Sequence, residues 1–451
     1  MSDVHKLDQH IPFPLQRVAS DPHLPKDADV VIIGGGIAGA AAAYYLAKKG
    51  HRVAVLEKGL IGAEQSGRNW GWVRQQNRDE RELPLAKWAL DSWGTLAEEI
   101  GADLGFRREG LVYLTDDAQE LAGWEKWVNM ARTYQVHSHV MSKAEASAVL
   151  PGDRAWVGGV RSPTDGRAEP SMATAALTEA ARRLGATVHQ FCAARGMETQ
   201  GGKISAVVTE RGRIRTGQVV CAAGAWSSLF CRWHGIDFPQ SGASSTAFAT
   251  QPAPSLIEGG LSTPQFTVRR RMDGGYTVAI RGRGRIELTP QGLRYTKQFL
   301  PILRARWSTA MSFGIGRSFF KGPEAWARWS LDSVSPFERT RVLNPGADQD
   351  TIDSALASLV KTFPAFAGLK VASTWAGWID STPDAVAVVG PVPQLPGFFM
   401  ASGFSGHGFG VGPAAGRLIA DLISGDPPIV DPYPLRFTRF SEGKQGPPAA
   451  M

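Results

Sequence analysis

The feature that most constrains this chain is a glycine cluster between two short apolar runs. Val30–Ile33 suits a strand buried on both faces, and Gly34-Gly35-Gly36-Ile37-Ala38-Gly39 follows it at once. An Ala-rich helix is predicted over residues 40–49, ended by Gly50, and a second strand over residues 52–56. This strand–turn–helix–strand order with Gly-x-Gly-x-x-Gly spacing predicts a dinucleotide-binding βαβ unit.

Each glycine of that motif has its own physical role. Gly34 permits the tight turn, Gly36 lets the backbone approach a pyrophosphate, and Gly39 lets the helix pack against the strand. The free N–H groups at the helix N-terminus would bind the anion. Glu57 follows Gly34 by 23 residues. At that distance it is placed to accept hydrogen bonds from a ribose and to repel a 2′-phosphate, which disfavours NADP.

The composition is that of an ordinary globular chain. Its 451 residues allow two or three domains, and 43% apolar residues argue against disorder. Lys and Arg number 49 against 42 Asp and Glu, giving a net charge of +7 that is spread along the chain and predicts no nucleic-acid partner. Three cysteines without metal-ligand spacing predict a reduced, cytoplasmic compartment and no metal site. Residues 30–47 lack charge, but their glycines predict a turn, so we expect no transmembrane segment.

Later segments favour FAD over NAD. A Gly-punctuated polar loop follows at residues 62–74, where a plain NAD domain would continue into a helix. Another buried strand is predicted within residues 217–227, and Gly-rich segments recur at 375–384 and 398–410. A nucleotide site built from the beginning, middle and end of the chain predicts an interleaved fold.

These segments together resemble the FAD-dependent D-amino-acid oxidase family, especially its sarcosine oxidase and glycine oxidase branch, from residue 29 to about residue 423. The resemblance is carried by the glycine motif with Glu57-Lys58, Ser66-x-Arg68-Asn69, Asp165-Gly166-x-x-x-Pro170, Ala223-Gly224-Ala225-Trp226, Thr382-Pro383-Asp384 and the loop 403–410. It implies FAD as the cofactor. Gly377 stands where monomeric sarcosine oxidase attaches its flavin to a cysteine, which implies that the FAD is non-covalent.

The implied fold class is α/β with antiparallel β: a Rossmann-like FAD-binding domain interleaved with an antiparallel-sheet substrate domain. The FAD domain would comprise residues 28–100, 151–240 and 370–440, and the substrate domain residues 101–150 and 241–369. Residues 1–27 would form an N-terminal arm and 441–451 a C-terminal tail. Independently, apolar runs on both sides of Asp273-Gly274 predict a hairpin within the substrate domain.

The motifs and the resemblance assign a broad set of residues to the cofactor. They are Gly34, Gly36, Ile37, Ala38, Gly39, Glu57, Lys58, Ser66, Arg68, Asn69, Trp70, Gly71, Trp72, Arg195, Gly196, Ala223, Gly224, Trp226, Gly377, Gly403, Gly406, His407, Gly408, Phe409 and Gly410. A helix beginning near Pro413 would direct its positive end at the flavin.

Three side chains are candidates for the chemistry. The resemblance places His407 beside flavin and substrate, although a buried or capping histidine is the simpler alternative. Arg74 matches an arginine near the flavin of sarcosine oxidase, or it is a surface arginine. Arg281 alternates with Arg283 and Arg285 on a predicted strand, opposite Arg269 to Arg271, so they share one face. An anionic substrate, an acceptor protein or a solvated sheet edge would each explain this cluster.

The implied activity is oxidation of the C–N bond of an amine or amino acid by hydride transfer to FAD, followed by hydrolysis of the imine. Oxidation of a 2-hydroxy acid and a non-catalytic FAD-binding subunit of a heteromeric dehydrogenase are the alternatives, and an aromatic hydroxylase fits less well. Ile379 and Gly410 stand where relatives carry carboxylate-binding residues, which leaves the substrate open. No lysine occurs between Lys203 and Lys297. Several oxidases of the resembled family use a lysine of the substrate-domain sheet to promote the reaction with oxygen. The resemblance therefore implies slow use of oxygen, with a quinone or redox protein as acceptor or with an arginine substituting for the lysine. The oligomeric state stays open.

Overall fold

The computed structural model describes residues 11–152, 154–305, 311–444 and 446–448. The first ten residues of the predicted arm and the end of the predicted tail lie outside them. Within the described residues the strands are β1 (Val30–Ile33), β2 (Val53–Leu56), β3 (Trp72–Val73), β4 (Leu111–Thr115), β5 (His139–Met141), β6 (Gly158–Ser162), β7 (Gly166–Arg167), β8 (Thr187–His189), β9 (Ala194–Gln200), β10 (Lys203–Thr209), β11 (Gly212–Arg215), β12 (Val219–Cys221), β13 (Ser241–Thr250), β14 (Gly260–Ser262), β15 (Thr267–Arg270), β16 (Tyr276–Ala279), β17 (Gly284–Glu287), β18 (Met311–Gly314), β19 (Val371–Ser381), β20 (Val388–Pro391) and β21 (Phe398–Ser402). The α-helices are α1 (Ile37–Lys48), α2 (Gln65–Arg68), α3 (Leu83–Ile100), α4 (Ala118–Thr133), α5 (Lys143–Val149), α6 (Pro170–Arg183), α7 (Ser227–Trp233), α8 (Pro290–Arg294), α9 (Thr296–Ala305), α10 (Pro336–Arg339), α11 (Gln349–Thr362) and α12 (Gly408–Ser424).

The glycine motif lies at the centre of a six-stranded sheet with the order β20-β21-β12-β1-β2-β8. Its strands are parallel except β20, which pairs antiparallel with β21. Every residue of β1 is buried, as its continuous apolar sequence predicted. Helix α1 begins at Ile37, three residues before the predicted start, and packs against α6 and α12.

A second, larger sheet has the order β18-β17-β13-β16-β15-β14-β4-β6-β5, with β19 on the other edge of β13. Its pairs are antiparallel except β14 with β4 and β17 with β18. The predicted fold class is confirmed. Two strands from segments assigned to the FAD domain, β6 and β19, pair within this sheet.

The predicted hairpin around Asp273-Gly274 is confirmed, because β15 and β16 pair antiparallel across it. The prediction that Arg281, Arg283 and Arg285 share one strand face opposite Arg269 to Arg271 is wrong. Strand β16 ends at Ala279, Arg281 lies in a turn, and β17 pairs with β13 rather than β15. The arginines have separate acidic partners: Glu120 of α4 accepts from Arg281 at 2.6 Å, and Glu287 lies 3.7 Å from Arg285 on the same strand. The side chains therefore do not need one common face.

One buried ion pair connects the two sheets. Glu169 directly precedes α6, which covers the six-stranded sheet, and Arg269 lies on β15 of the larger sheet. Arg269 Nη1 donates to Glu169 Oε1 at 2.8 Å, and the two side chains are 1% and 4% exposed. Arg269 Nε also donates to the carbonyl of Trp70.

We expect Arg269→Ala to destabilise the protein by about 3–5 kcal/mol, because it leaves the carboxylate of Glu169 buried without its partner. The same substitution at Arg213, whose ion pair with Glu198 is on the surface, is the matched control and should cost far less. Urea denaturation followed by circular dichroism measures both. Equal losses in the two variants would show that the pair has no special part in joining the sheets.

Candidate active site

A cavity of about 1180 Å³, its open mouth included, lies beside the glycine motif at the carboxyl ends of β1, β2 and β12. Cavities at this edge of a parallel sheet are the usual ligand sites of such folds. The predicted cofactor residues that line it are Gly34, Gly36, Ile37, Ala38, Glu57, Lys58, Ser66, Asn69, Ala223, Gly224, Trp226, Gly406, Gly408 and Phe409.

The three motif glycines are required for different reasons. Gly34 has a φ of +108°, and a β-carbon there would lie 2.3 Å from the carbonyl oxygen of Ala222. A β-carbon on Gly39 would lie 2.1 Å from the carbonyl oxygen of Gly34. Gly36 differs, because a side chain there would meet Ser66 Oγ at 3.0 Å and extend along the cavity wall. The bare backbone at the motif and the volume of the cavity fit a dinucleotide such as FAD.

Polar contacts hold two parts of the wall of this cavity, at Ser66 and at Glu57. Ser66 Oγ accepts a hydrogen bond from the Ile37 N–H at the start of α1, at 2.9 Å. Glu57, partly buried, accepts from the N–H groups of Gly35 and Gly59, at 2.8 and 2.7 Å. Burial raises the pKa of Glu57, which Lys58 and these donors oppose. Lys58, also on the cavity wall, donates to the carbonyl of Thr340 at 3.0 Å and so connects the wall to the segment before α11.

A second cavity of about 1190 Å³, its mouth included, adjoins the first, and Gln65, Asn69, Gly406 and Phe409 line both. The other predicted residues on its wall are Arg68, Trp70, Trp72, Arg74, Arg281, His407 and Gly410. The arginines of its wall are Arg68, Arg74, Arg78, Arg281 and Arg283. Of the described residues, no aspartate or glutamate lines this cavity, so its wall is strongly basic.

Arg74 and Arg281 both lie against the ring of Tyr113. Their guanidinium carbons lie 5.7 and 5.1 Å from the centre of the Tyr113 ring. Arg74 is buried, so it is not the surface arginine of the alternative interpretation, and its Nη1 donates to the carbonyl of Gln76. Arg281 is paired with Glu120, whereas in the part of the chain described here Arg74 forms no ion pair.

His407 reaches the second cavity from the N-terminus of α12. It is 3% exposed, and Nδ1 lies 3.1 Å from Oε2 of Glu82. Burial, together with Arg78, lowers the pKa of His407 to about 4, so the ring is neutral at neutral pH. Its buried Nε2 has no hydrogen-bond partner among the described residues. The ring therefore has one unused polar atom beside the cavity.

The start of α12 was predicted wrongly. The helix begins at Gly408, with His407 as its N-cap residue and Pro413 inside it. Glycines have low helix propensity, so the sequence favoured a start after Pro413. Close packing overrides that preference: a β-carbon on Gly412 would lie 2.7 Å from Ile37 Cγ2, and one on Gly416 2.4 Å from the Ala42 nitrogen. The helix N-terminus is thereby placed where the two cavities meet.

Several predicted residues line neither cavity. They are Gly39, Gly71, Arg195, Gly196, Gly377 and Gly403. Arg195 instead forms an ion pair with Glu338 at 2.9 Å. A β-carbon on Gly377 would lie 2.2 Å from Gln65 Oε1, so this glycine makes room for a residue of the cavity wall.

Two acidic residues of the motifs are fully buried and line neither cavity. Asp165 accepts from the backbone N–H groups of Gln75 and Gln76 and so holds the segment that carries Arg74. Burial raises the pKa of Asp165 to about 6. Asp384 accepts from Arg439 Nε at 2.9 Å, in a fully buried pair near the chain end.

Sequence reasoning missed Glu82, Arg78 and Gln65. Glu82 and Arg78 are charged residues in a charged stretch that is typical of a protein surface, and Gln65 adjoins a recognised motif without belonging to it.

All helices in the described ranges are too short or too polar to cross a membrane. In the same ranges no cluster of His, Cys, Asp or Glu is arranged to hold a metal ion.

Comparison with known proteins connects this site to a family. The family described as "DAO: FAD dependent oxidoreductase" matches residues 29–422. Mitochondrial sarcosine dehydrogenase of Mus musculus is 27% identical over 430 residues, which cover 92% of this chain and 42% of that protein. Glycine oxidase of Pseudomonas putida KT2440 is 26% identical over 422 residues, 90% of this chain and 97% of that enzyme.

Among solved structures, L-amino acid deaminase from Proteus myxofaciens superposes with a TM-score of 0.89 at 30% identity, covering 95% of this chain and 97% of that one. The chain thus spans less than half of the mouse dehydrogenase but nearly all of the glycine oxidase and the deaminase. The family match includes the glycine motif, the residues that line both cavities and the N-terminus of α12 at their junction. The chain belongs to the DAO family of FAD-dependent oxidoreductases.

Proposed function

We propose that this protein oxidises the C–N bond of an amino acid or a related amine that carries a carboxylate. The observation that supports this most directly is the composition of the second cavity. It adjoins the cofactor cavity, its wall is rich in arginine, and the neutral His407 on that wall has a buried nitrogen without a partner among the described residues. The relatives named for sarcosine, glycine and L-amino acids agree with a substrate of this class.

In this proposal the bound FAD supplies the acceptor for the hydride that leaves the carbon next to nitrogen. Arg74, which is buried and makes no hydrogen bond to a carboxylate in the described chain, binds the substrate carboxylate. Arg281, over the same tyrosine ring, adds positive charge at the same place. The imine product hydrolyses after release.

The basic wall also favours the reactive form of the substrate. Hydride leaves readily only when the nitrogen lone pair is free, so a bound ammonium has to lose a proton. The cavity wall carries five arginines and, as far as it is described, no carboxylate that would stabilise an ammonium. This environment lowers the pKa of the amine, and His407 Nε2 is the neighbouring atom that can accept the proton.

The cysteines bear on how the FAD is attached and on the location of the protein. The FAD is non-covalent, because the cysteines Cys192, Cys221 and Cys231 are buried free thiols and none of them lines either cavity. Reduced cysteines also agree with the cytoplasmic location predicted from their spacing.

The first prediction tests the cofactor. Gly36→Val should purify colourless, because its side chain would occupy the cavity wall next to Ser66. Gly217→Val, with open space around its β-carbon, is the control and should stay yellow. Acid precipitation of the native protein should leave the flavin in the supernatant, measured by absorbance. Flavin that stays on the precipitated chain would contradict the non-covalent assignment.

The second prediction concerns the substrate carboxylate. Arg74→Ala should weaken the apparent affinity for a carboxylate-bearing amine about 10- to 100-fold, as expected for loss of a charged hydrogen bond. It should leave the affinity for the corresponding amine without a carboxylate nearly unchanged. Anaerobic flavin bleaching in a stopped-flow instrument measures both. Equal effects on the two substrates would overturn the role of Arg74.

The third prediction concerns pH. The rate of anaerobic flavin reduction should rise with pH as the bound amine loses its proton and then reach a plateau. His407 stays neutral down to about pH 4, so its own titration should not appear between pH 5 and 9. Efficient reduction by a 2-hydroxy acid, with a pH-independent rate for every amine, would favour the alcohol-oxidising alternative. Failure of all amines and hydroxy acids to reduce the flavin would favour a non-catalytic subunit.

The fourth prediction concerns the electron acceptor. Lysine is absent from the described wall of the second cavity, in keeping with the gap between Lys203 and Lys297. We expect reduced enzyme to reoxidise slowly in air and faster with a soluble quinone analogue. Rapid reoxidation by air-saturated buffer, followed at the flavin absorbance maximum, would show that oxygen is the acceptor.

A further inference from the structure

We propose that Glu82 is a positioning residue that acts through His407: it holds the imidazole in the form protonated at Nδ1, so that Nε2 presents a lone pair to the second cavity. This inference rests on the proposed function, since the lone pair matters for accepting the proton of a substrate ammonium. The arrangement of three distant segments around one carboxylate carries it.

The carboxylate of Glu82 is fully enclosed. Its side chain is 0% exposed, and the residue is the N-cap of α3. Oε1 accepts from the backbone N–H of Ala387 at 2.8 Å, just before β20, and Oε2 faces His407 Nδ1 at 3.1 Å. One oxygen therefore anchors the carboxylate and the other faces the ring.

The charges around Glu82 keep it ionised. Burial alone would raise its pKa, but the hydrogen bond with His407, the charge of Arg78 and the Ala387 N–H together hold it below the ordinary value. Arg78 is buried, and Arg81 lies on the same segment and also favours the carboxylate. Arg74 also acts on the ring and lowers the pKa of His407, and Arg74 and Arg78 in turn lower the pKa of the buried Asp165.

An ionised carboxylate only accepts hydrogen bonds, and a neutral imidazole carries a single N–H. The contact with Glu82 therefore requires that the N–H be at Nδ1, which leaves Nε2 as an acceptor. That same Nε2 is the buried atom that lacks a partner among the described residues. His407 is also the N-cap of α12, whose positive end disfavours an imidazolium and keeps the acceptor form.

The proton transfer balances without another reactant. A substrate ammonium gives one proton to the Nε2 lone pair, which leaves a neutral amine and an imidazolium ion. The imidazolium then lies against the carboxylate of Glu82, a paired charge in a buried site. After product leaves, Nε2 returns the proton to water through the open mouth of the cavity.

The decisive variant is Glu82→Gln. The amide oxygen of glutamine can still accept from Ala387, so the anchor of the carboxylate is retained. The amide NH₂ then faces Nδ1 and reverses the preference, which places the ring proton on Nε2. We expect flavin reduction by a reactive amine to slow by about 100-fold, the scale of a lost general base, with little change in apparent substrate affinity. Glu98→Gln, an exposed position on the same helix, is the matched control and should leave the rate unchanged.

A double-mutant cycle separates positioning from general structural damage. If Glu82 acts through His407, Glu82→Gln should cause no further slowing in a His407→Ala background. Additive losses in the double variant, or an unchanged rate in Glu82→Gln alone, would overturn the proposal. FAD content and the thermal midpoint of each variant report whether it has folded.

A measurement on the native holoenzyme keeps the inference testable even where a variant does not fold. In protein labelled with ¹⁵N-histidine, the His407 ring should show the chemical shifts of the Nδ1-protonated form at pH 7, assigned by the signal lost in His407→Gln. A ring protonated at Nε2 would overturn the proposal. This NMR measurement needs no substrate, so it tests the positioning role of Glu82 even if every amine fails to reduce the flavin. Such a failure would reject only the proposed function.

Discussion

Helix α12 packs along helix α1 at a separation that only small residues permit, and the active site depends on this contact. Gly416 of α12 lies against the backbone of α1 at Ala42, and Gly412 lies against the side chain of Ile37. Both helices begin at the cofactor cavity. Because of this packing, the glycine motif near the start of the chain and the His407 loop near its end lie side by side.

The second constraint is electrostatic. The wall of the second cavity carries five arginines, and buried charges of one sign are stable only when opposite charges lie near. Acids behind the wall supply them: Glu120 pairs with Arg281, and Asp165 and Glu82 lie near Arg74 and Arg78. The cavity surface itself stays basic where it is described. A carboxylate ligand therefore meets positive charge, while the amine next to it meets none of the acids.

The sequence predicted the parts of the site that depend on local pattern. The strand of β1, the glycine turn and Glu57 follow from hydrophobic periodicity and the conformational needs of glycine, which neighbouring residues decide. The Asp273-Gly274 hairpin follows from turn chemistry for the same reason. Arg74 and His407 were found through resemblance, and the structure brings both to one cavity. Their chemical roles stay proposals.

The tertiary structure decided what periodicity does not encode. Packing against Ile37 and Ala42 makes a helix of the glycines from Gly408 onward, against their propensity. Arg281 lies in a turn and pairs with Glu120 of a distant helix, whereas Arg285 pairs with Glu287 on its own strand, so the alternation of these arginines in sequence did not indicate a shared face. In the sequence Glu82 is one charged residue in a charged run. In the fold its carboxylate contacts Ala387 and His407, which come from distant segments. The sequence by itself determined the nucleotide-binding unit, because backbone sterics and short-range pattern specify it. Only the folded chain decided the protonation form of His407 and the charge of the second cavity, because burial and long-range partners set both.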